Sequence, residues 1–137
     1  MKVIVIGCGR VGAALALALD REGWDVVVVD EDEEALERLG DWRKRFVVGH
    51  GIDVEVLQRA GIAEADTLVA ATNGDNTNIV IAQLAKLRYD VPSVAARIHD
   101  PARADFYSGR GIEIVSPARS AIADLTRWAL AAGGVNA

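Results

Sequence analysis

The sequence predicts an α/β fold: a Rossmann-type, doubly wound, six-stranded parallel sheet of order 3-2-1-4-5-6, with helices on both faces. Short Val- and Ile-rich runs alternate with helix-like segments along all 137 residues. The first such run leads straight into Gly7-Cys8-Gly9-Arg10-Val11-Gly12, and an acid, Asp30, closes the second run. Strict alternation of strand and helix makes neighbouring strands parallel, and right-handed crossovers select this strand order.

Residues 2–6 read as the first strand and 11–19 as a helix rich in Ala and Leu. The run 26–29 is four valines, too short for a helix and typical of a strand buried on both faces. Residues 32–39 read as an acidic helix, 45–48 as the third strand and 53–60 as a short helix ended by Gly61, a C-cap residue. The fourth strand is expected at 67–71, with Thr72 or Asn73 as the N-cap of a long apolar helix over 76–88. Residues 93–98 form the fifth strand, 101–108 a helix and 111–115 the sixth strand. Pro117 suits the first turn of a last helix running to about 132, where Gly133 and Gly134 are expected to stop it.

Composition bounds the function. Half the residues are apolar and 26% are charged, the balance of a folded domain, and the length suits a single domain over 1–137. A net charge of −5 argues against a general phosphate-neutralising surface for nucleic acid and against anionic membranes. The apolar run 3–6 is too short for a signal peptide or a span, so direct membrane insertion is not expected. A single cysteine, Cys8, allows no internal disulfide and fits a reducing compartment. With two histidines besides, it makes a structural metal site a poor fit.

The glycine pattern has its own logic. Gly7 allows a tight turn, Gly9 lets a pyrophosphate approach the backbone at a helix N-terminus, and Gly12 lets the helix pack closely on the strand. Arg10 sits inside this loop, where a guanidinium suits a phosphate contact. Asp30 suits the hydroxyls of an adenosine ribose. With Glu31 and the acids that follow, it repels a 2′-phosphate, favouring NAD(H) over its phosphorylated form. Glu33 and Glu34 are also explained as first-turn acids of a helix. Cys8 fits as a small side chain between glycines; the alternative is a thiolate activated by the helix N-terminus.

Ligands in this fold sit beyond the carboxyl ends of the strands. There the sequence places Gly49-His50-Gly51, then Thr72, Asn73, Asp75 and Asn78, then Arg97. Arg97 lies in an otherwise apolar strand and needs a partner: Asp75, Asp100 or a ligand phosphate. His50 and His99 read as loop histidines.

These motifs resemble the N-terminal regulator-of-potassium-conductance domain, or TrkA-N domain. The shared features are Gly7–Gly12 with Arg10, Asp30, Leu57, Ala60-Gly61-Ile62 and Ala65-Asp66, then Thr72, Asp75, Asn78, Arg97 and Val115-Ser116-Pro117. The resemblance implies a cytoplasmic regulator beneath the inner face of the membrane, partner to a membrane-embedded potassium transporter or channel subunit. It implies binding of NAD(H), or of ATP, ADP or AMP, and assembly as a homodimer or larger ring. Gly49-His50 stands where the family usually has Gly-Asp, which removes a carboxylate from the adenosine side. Many members carry a second, C-terminal ligand-binding domain, so the expectation is that this domain works alone, that the module is on another chain, or that the sequence is a fragment.

An NAD-dependent oxidoreductase, or the cofactor-binding part of one, is the alternative. No convergent His/Lys/Tyr set points to catalysis, so the expectation is a sensor rather than an enzyme. Assembly has its own signals. Ile79, Val80, Ile81, Ala82, Leu84, Ala85 and Leu87 wrap one helix. Ile122, Leu125 and Ala129 stripe the last helix, widened by Trp128 and Leu130. Helices apolar on so many sides are expected to be buried twice, with 118–132 exchanged with or packed on a second copy, unless Trp128 covers its own sheet edge.

Overall fold

The computed structural model describes residues 1–135. The last two residues of the expected 1–137 domain lie outside the described residues. Six parallel strands are ordered β3-β2-β1-β4-β5-β6. They are β1 (Lys2–Ile6), β2 (Asp25–Asp30), β3 (Arg45–Val48), β4 (Thr67–Ala70), β5 (Ser93–Arg97) and β6 (Glu113–Val115). Order and direction are those expected from the alternation of segments. The order changes direction between β1 and β4, which opens a crevice beyond their carboxyl ends.

The α-helices are α1 (Arg10–Arg21), α2 (Val54–Arg59), α3 (Asp75–Gln83), α4 (Pro101–Tyr107) and α5 (Pro117–Val135). The acidic segment is a 3-10 helix, Glu33–Leu39, whose N-cap Asp32 is extended and accepts from Glu34 N–H. Gly61 does leave the helical region (φ 86°), but it opens a further 3-10 turn, Ile62–Glu64. The long helix expected over 76–88 is α only to Gln83. It then widens into a π-turn, Leu84–Arg88, where Tyr89 N–H reaches back to the Leu84 carbonyl. Its N-cap is Gly74, not Thr72 or Asn73. Gly133 and Gly134 do not end the last helix, which continues through them to Val135. They cost helix stability without forbidding the helical backbone.

Residues of alternate parity fill opposite layers. Ile4, Ile6, Val27, Val29, Leu68, Ala70, Val94, Ala96 and Ile98 pack with Val56, Leu57, Ile81 and Ala104. Val3, Val5, Val26 and Val28 pack on the other face with Ala13, Ala16, Ala35 and Leu39. The register carries that second face onward from Val5 to Val69, Ala95 and Glu113, with Arg97 beside Val115. Over β4–β6 it is poorly covered: Val115 is 49% exposed. From Ser120 through Ala131, every residue of α5 is exposed. Trp128 is 70% exposed and does not cover the sheet edge.

Two polar ties hold the strand ends. Asn78 is fully buried; its Oδ1 accepts from Thr72 N–H (2.9 Å), and its Nδ2 donates to the carbonyls of Thr72 (3.0 Å) and Arg97 (2.7 Å). Asp75 accepts from the N–H groups of His99 (2.7 Å) and Asp100 (3.0 Å). Burial pushes the Asp75 carboxyl upward, but these two N–H groups, with the nearby His99 and Arg103, outweigh it and hold the carboxyl below the ordinary aspartate value. Such a group stabilises the fold above its unfolded pKa of ~3.9 and loses that contribution as pH falls through the lower folded value. Asp75→Asn should therefore lower Tm near neutral pH, with the gap from wild type closing below about pH 4. A gap that stays constant across that range in thermal melts contradicts the tie.

Candidate functional site

Strand β1 ends in a turn that only glycine can make. Gly7 has φ 101°, its N–H donates to the Val29 carbonyl (2.8 Å), and a Cβ there would stand 2.7 Å from the Ala71 carbonyl oxygen. A Cβ on Gly12 would run into the Gly7 carbonyl. Gly9 differs: a Cβ there meets nothing within 4 Å. Gly9 is also the N-cap of α1, and no side chain caps that helix. The first-turn N–H groups beside Gly9 therefore lack a side-chain acceptor and attract negative charge.

Asp30, at the end of β2, holds the turn from the other side. One carboxylate oxygen accepts from Cys8 N–H (2.7 Å), the other from Asp32 N–H (2.8 Å). Each oxygen keeps a lone pair for a further donor.

A cleft of about 410 Å³ opens here, within the range of small-molecule sites. Gly7, Gly9, Asp30, Glu31, Gly49, His50, Gly51, Thr72 and Asn73 all line it. Ile6, Val29, Asp32, Ala35, Arg38, Ala71, Gly74 and Thr77 line it too. Gly49 and Gly51 bring the floor close: a Cβ on the first would strike Val56, and one on the second would press on Ile6 and Ile81. His50 Nδ1 accepts from Ile52 N–H (3.3 Å), while its Nε2 lies 3.9 Å from Glu31.

Other expected site residues do not line the cleft. Val11 and Gly12 belong to the first turn of α1, with Val11 exposed and Gly12 buried. Arg10 is exposed. Cys8 is fully buried, and its Sγ donates to the Ala35 carbonyl (3.3 Å). Burial and then the Asp30 charge push its thiol upward, against the opposing pull of Arg38, so it is no activated nucleophile. Asp75 and Asn78 are occupied by the ties described above. Arg97 pairs with neither expected acid: Asp75 serves the loop after β5 and Asp100 caps α4. Arg97 Nε is buried without a partner, on the sheet face that α5 leaves open. Among the described residues, no cluster of side chains suits a metal ion.

The order of strands, the glycine turn and the crevice define a Rossmann-type domain with its cleft at the topological switch point. The TrkA-N domain family matches residues 3–117, and the chain belongs to that family. The Trk system potassium uptake protein TrkA of Streptomyces coelicolor is 42% identical over 134 residues, 97% of this chain and 60% of that protein. The TrkA homolog of Methanothermobacter thermautotrophicus is 33% identical over 123 residues, covering 88% of this chain and 56% of its own length. The chain thus spans little more than half of these relatives. Among solved structures, GsuK bound to ADP superposes with a TM-score of 0.76 at 26% identity, over 91% of this chain and 32% of that one. The Kef C-terminal domain of Shewanella denitrificans, in AMP-bound form, shares the fold, with a TM-score of 0.81 at 24% identity over 98% of this chain and 82% of that one.

The glycines separate fold from site. Gly12→Ala should destabilise the protein by at least the ~1–3 kcal/mol of core overpacking. Gly9→Val, with open space before it, should keep a native circular-dichroism spectrum and lose about 1 kcal/mol or less, the scale of an N-cap change. Equal losses in urea denaturation contradict this division.

Proposed function

We propose that this chain is a nucleotide-sensing regulatory domain of a potassium channel or transporter, working at the cytoplasmic face of the membrane. It binds NAD(H), or alternatively ATP, ADP or AMP, and the bound nucleotide shifts its assembly and so the gate. One observation carries the reading: the Asp30 carboxylate and the uncapped start of α1 face one cleft across a glycine that leaves room for a ligand. Asp30 would accept from the ribose hydroxyls, and the first turn of α1 would receive the pyrophosphate. The family, the names of the potassium-uptake relatives and the ADP-bound neighbour support it. The cleft wall offers carboxylates, backbone amides, two threonine hydroxyls, one imidazole and one guanidinium, groups that suit the binding of a nucleotide.

Assembly is the other half of the proposal. Ile122, Leu125, Trp128 and Leu130 of α5 are 58–73% exposed, beside a half-open sheet face. A second copy would cover both, giving a homodimer or larger ring, and the membrane partner would meet that assembly. Among the described residues, no helix is long and apolar enough to cross a membrane. A ligand regulates only by binding two arrangements with different affinity. Light scattering should give at least twice the 14.6 kDa of one chain, and a monomer at high concentration, with and without NAD, contradicts the assembly.

Calorimetry tests the site. NAD should bind more tightly than its 2′-phosphorylated form. Asp30→Ala should weaken NAD by about 10- to 100-fold, the value of hydrogen bonds to a charged group, and narrow the difference. Equal affinity of the wild type for the two dinucleotides removes the role given to Asp30.

A further inference from the structure

The cleft has a cation that the glycine motif does not supply. Arg10 and Arg97, the arginines expected at phosphate, do not line it, whereas Arg38 does. Arg38 stands in the last turn of the 3-10 helix Glu33–Leu39, and its Nη1 donates to the Cys8 carbonyl at 3.2 Å. The N–H of the same Cys8 donates to Asp30. Guanidinium and carboxylate therefore grip one residue of the glycine turn from two sides, side by side in the cleft wall.

Among the described residues Arg38 enters no ion pair, although Asp30, Glu31 and Asp32 line the same wall. A guanidinium has five N–H donors, and only one contact, to the Cys8 carbonyl, uses them here. The other group in the wall able to carry positive charge is His50, and it is engaged with Ile52 N–H and faces Glu31.

We infer that Arg38 is a ligand-binding residue that donates to a phosphoryl oxygen carried on the adenosine ribose. The inference rests on the nucleotide reading above. Planar, charge-assisted donors of this kind are strong and directional toward phosphate. The oxygen belongs to the 5′-phosphate, shared by AMP and NAD, since the acids of the same wall repel a 2′-phosphate. Holding Cys8 through its carbonyl is the structural part of the same side chain's work.

The test is calorimetry of wild type, Arg38→Gln and Arg38→Lys with adenosine, AMP, NAD and its 2′-phosphorylated form. Arg38→Gln should weaken phosphorylated ligands on the order of tenfold and leave adenosine unchanged, with Arg38→Lys in between. Loss shared by AMP and NAD places the contact at the 5′-phosphate, and loss confined to the 2′-phosphorylated dinucleotide overturns the inference. Unchanged affinities overturn the inference while leaving the nucleotide site standing. Equal losses for adenosine and AMP also overturn it, since they show that Arg38 only braces the turn. A wild type that binds none of the four overturns the nucleotide reading and this inference together.

Discussion

Asp30 joins the two halves of the cleft wall. Its two oxygens hold the amides of Cys8 and Asp32, so the glycine turn after β1 and the start of the 3-10 helix after β2 are fastened to one carboxylate. Charge-assisted bonds to backbone N–H are among the stronger polar contacts in a protein. Parallel pairing sets the ends of β1 and β2 side by side, with Ile6 opposite Val29, and places Asp30 within reach of the turn. The glycines then decide what the turn can be. Gly7 and Gly12 are needed for contact between protein parts, and only Gly9 is left facing empty space. The architecture of the sheet and the shape of the cleft thus depend on the same few atoms.

The parts legible in the sequence are those governed by local rules. Alternation of valine-rich runs with amphipathic segments shows the strand order, since parity and crossover handedness leave little choice. The glycine spacing and Asp30 mark the cleft because their roles depend on near neighbours. Less legible are features set by partners far along the chain. Asn78 and Asp75 look like cleft residues by position, yet their side chains are consumed by the amides and carbonyls of Thr72, Arg97, His99 and Asp100. Arg38 hides in an acidic stretch, where a basic residue in the last turn is sufficiently explained by the helix dipole. Its contact with Cys8 spans 30 residues. Gly133 and Gly134 misled because propensity is a weak prior.

Two unsatisfied features lie outside the lining of the cleft. Arg97 Nε is buried without a partner, and the sheet around it ends in an open flank beside an α5 that touches little of its own chain. The base of α5 is nonetheless fastened. Ser116 is buried and its Oγ accepts from Arg119 N–H (3.2 Å), while Arg119 pairs with Asp105 (2.9 Å). This helix, anchored at one end and bare along its length, is the surface that a second copy covers in the proposed assembly. The Arg97 carbonyl is held by Asn78, which also holds Thr72 at the cleft.

The central claim is that an adenine nucleotide occupies the cleft between Asp30 and the start of α1. The most direct measurement is a titration of amide resonances with NAD. The account predicts the largest, saturable shifts at Gly7, Gly9, Arg10, Asp30 and Thr72, with small changes elsewhere in the cleft-distant parts of the sheet. Saturable shifts that leave these amides unmoved and cluster on another surface would contradict it.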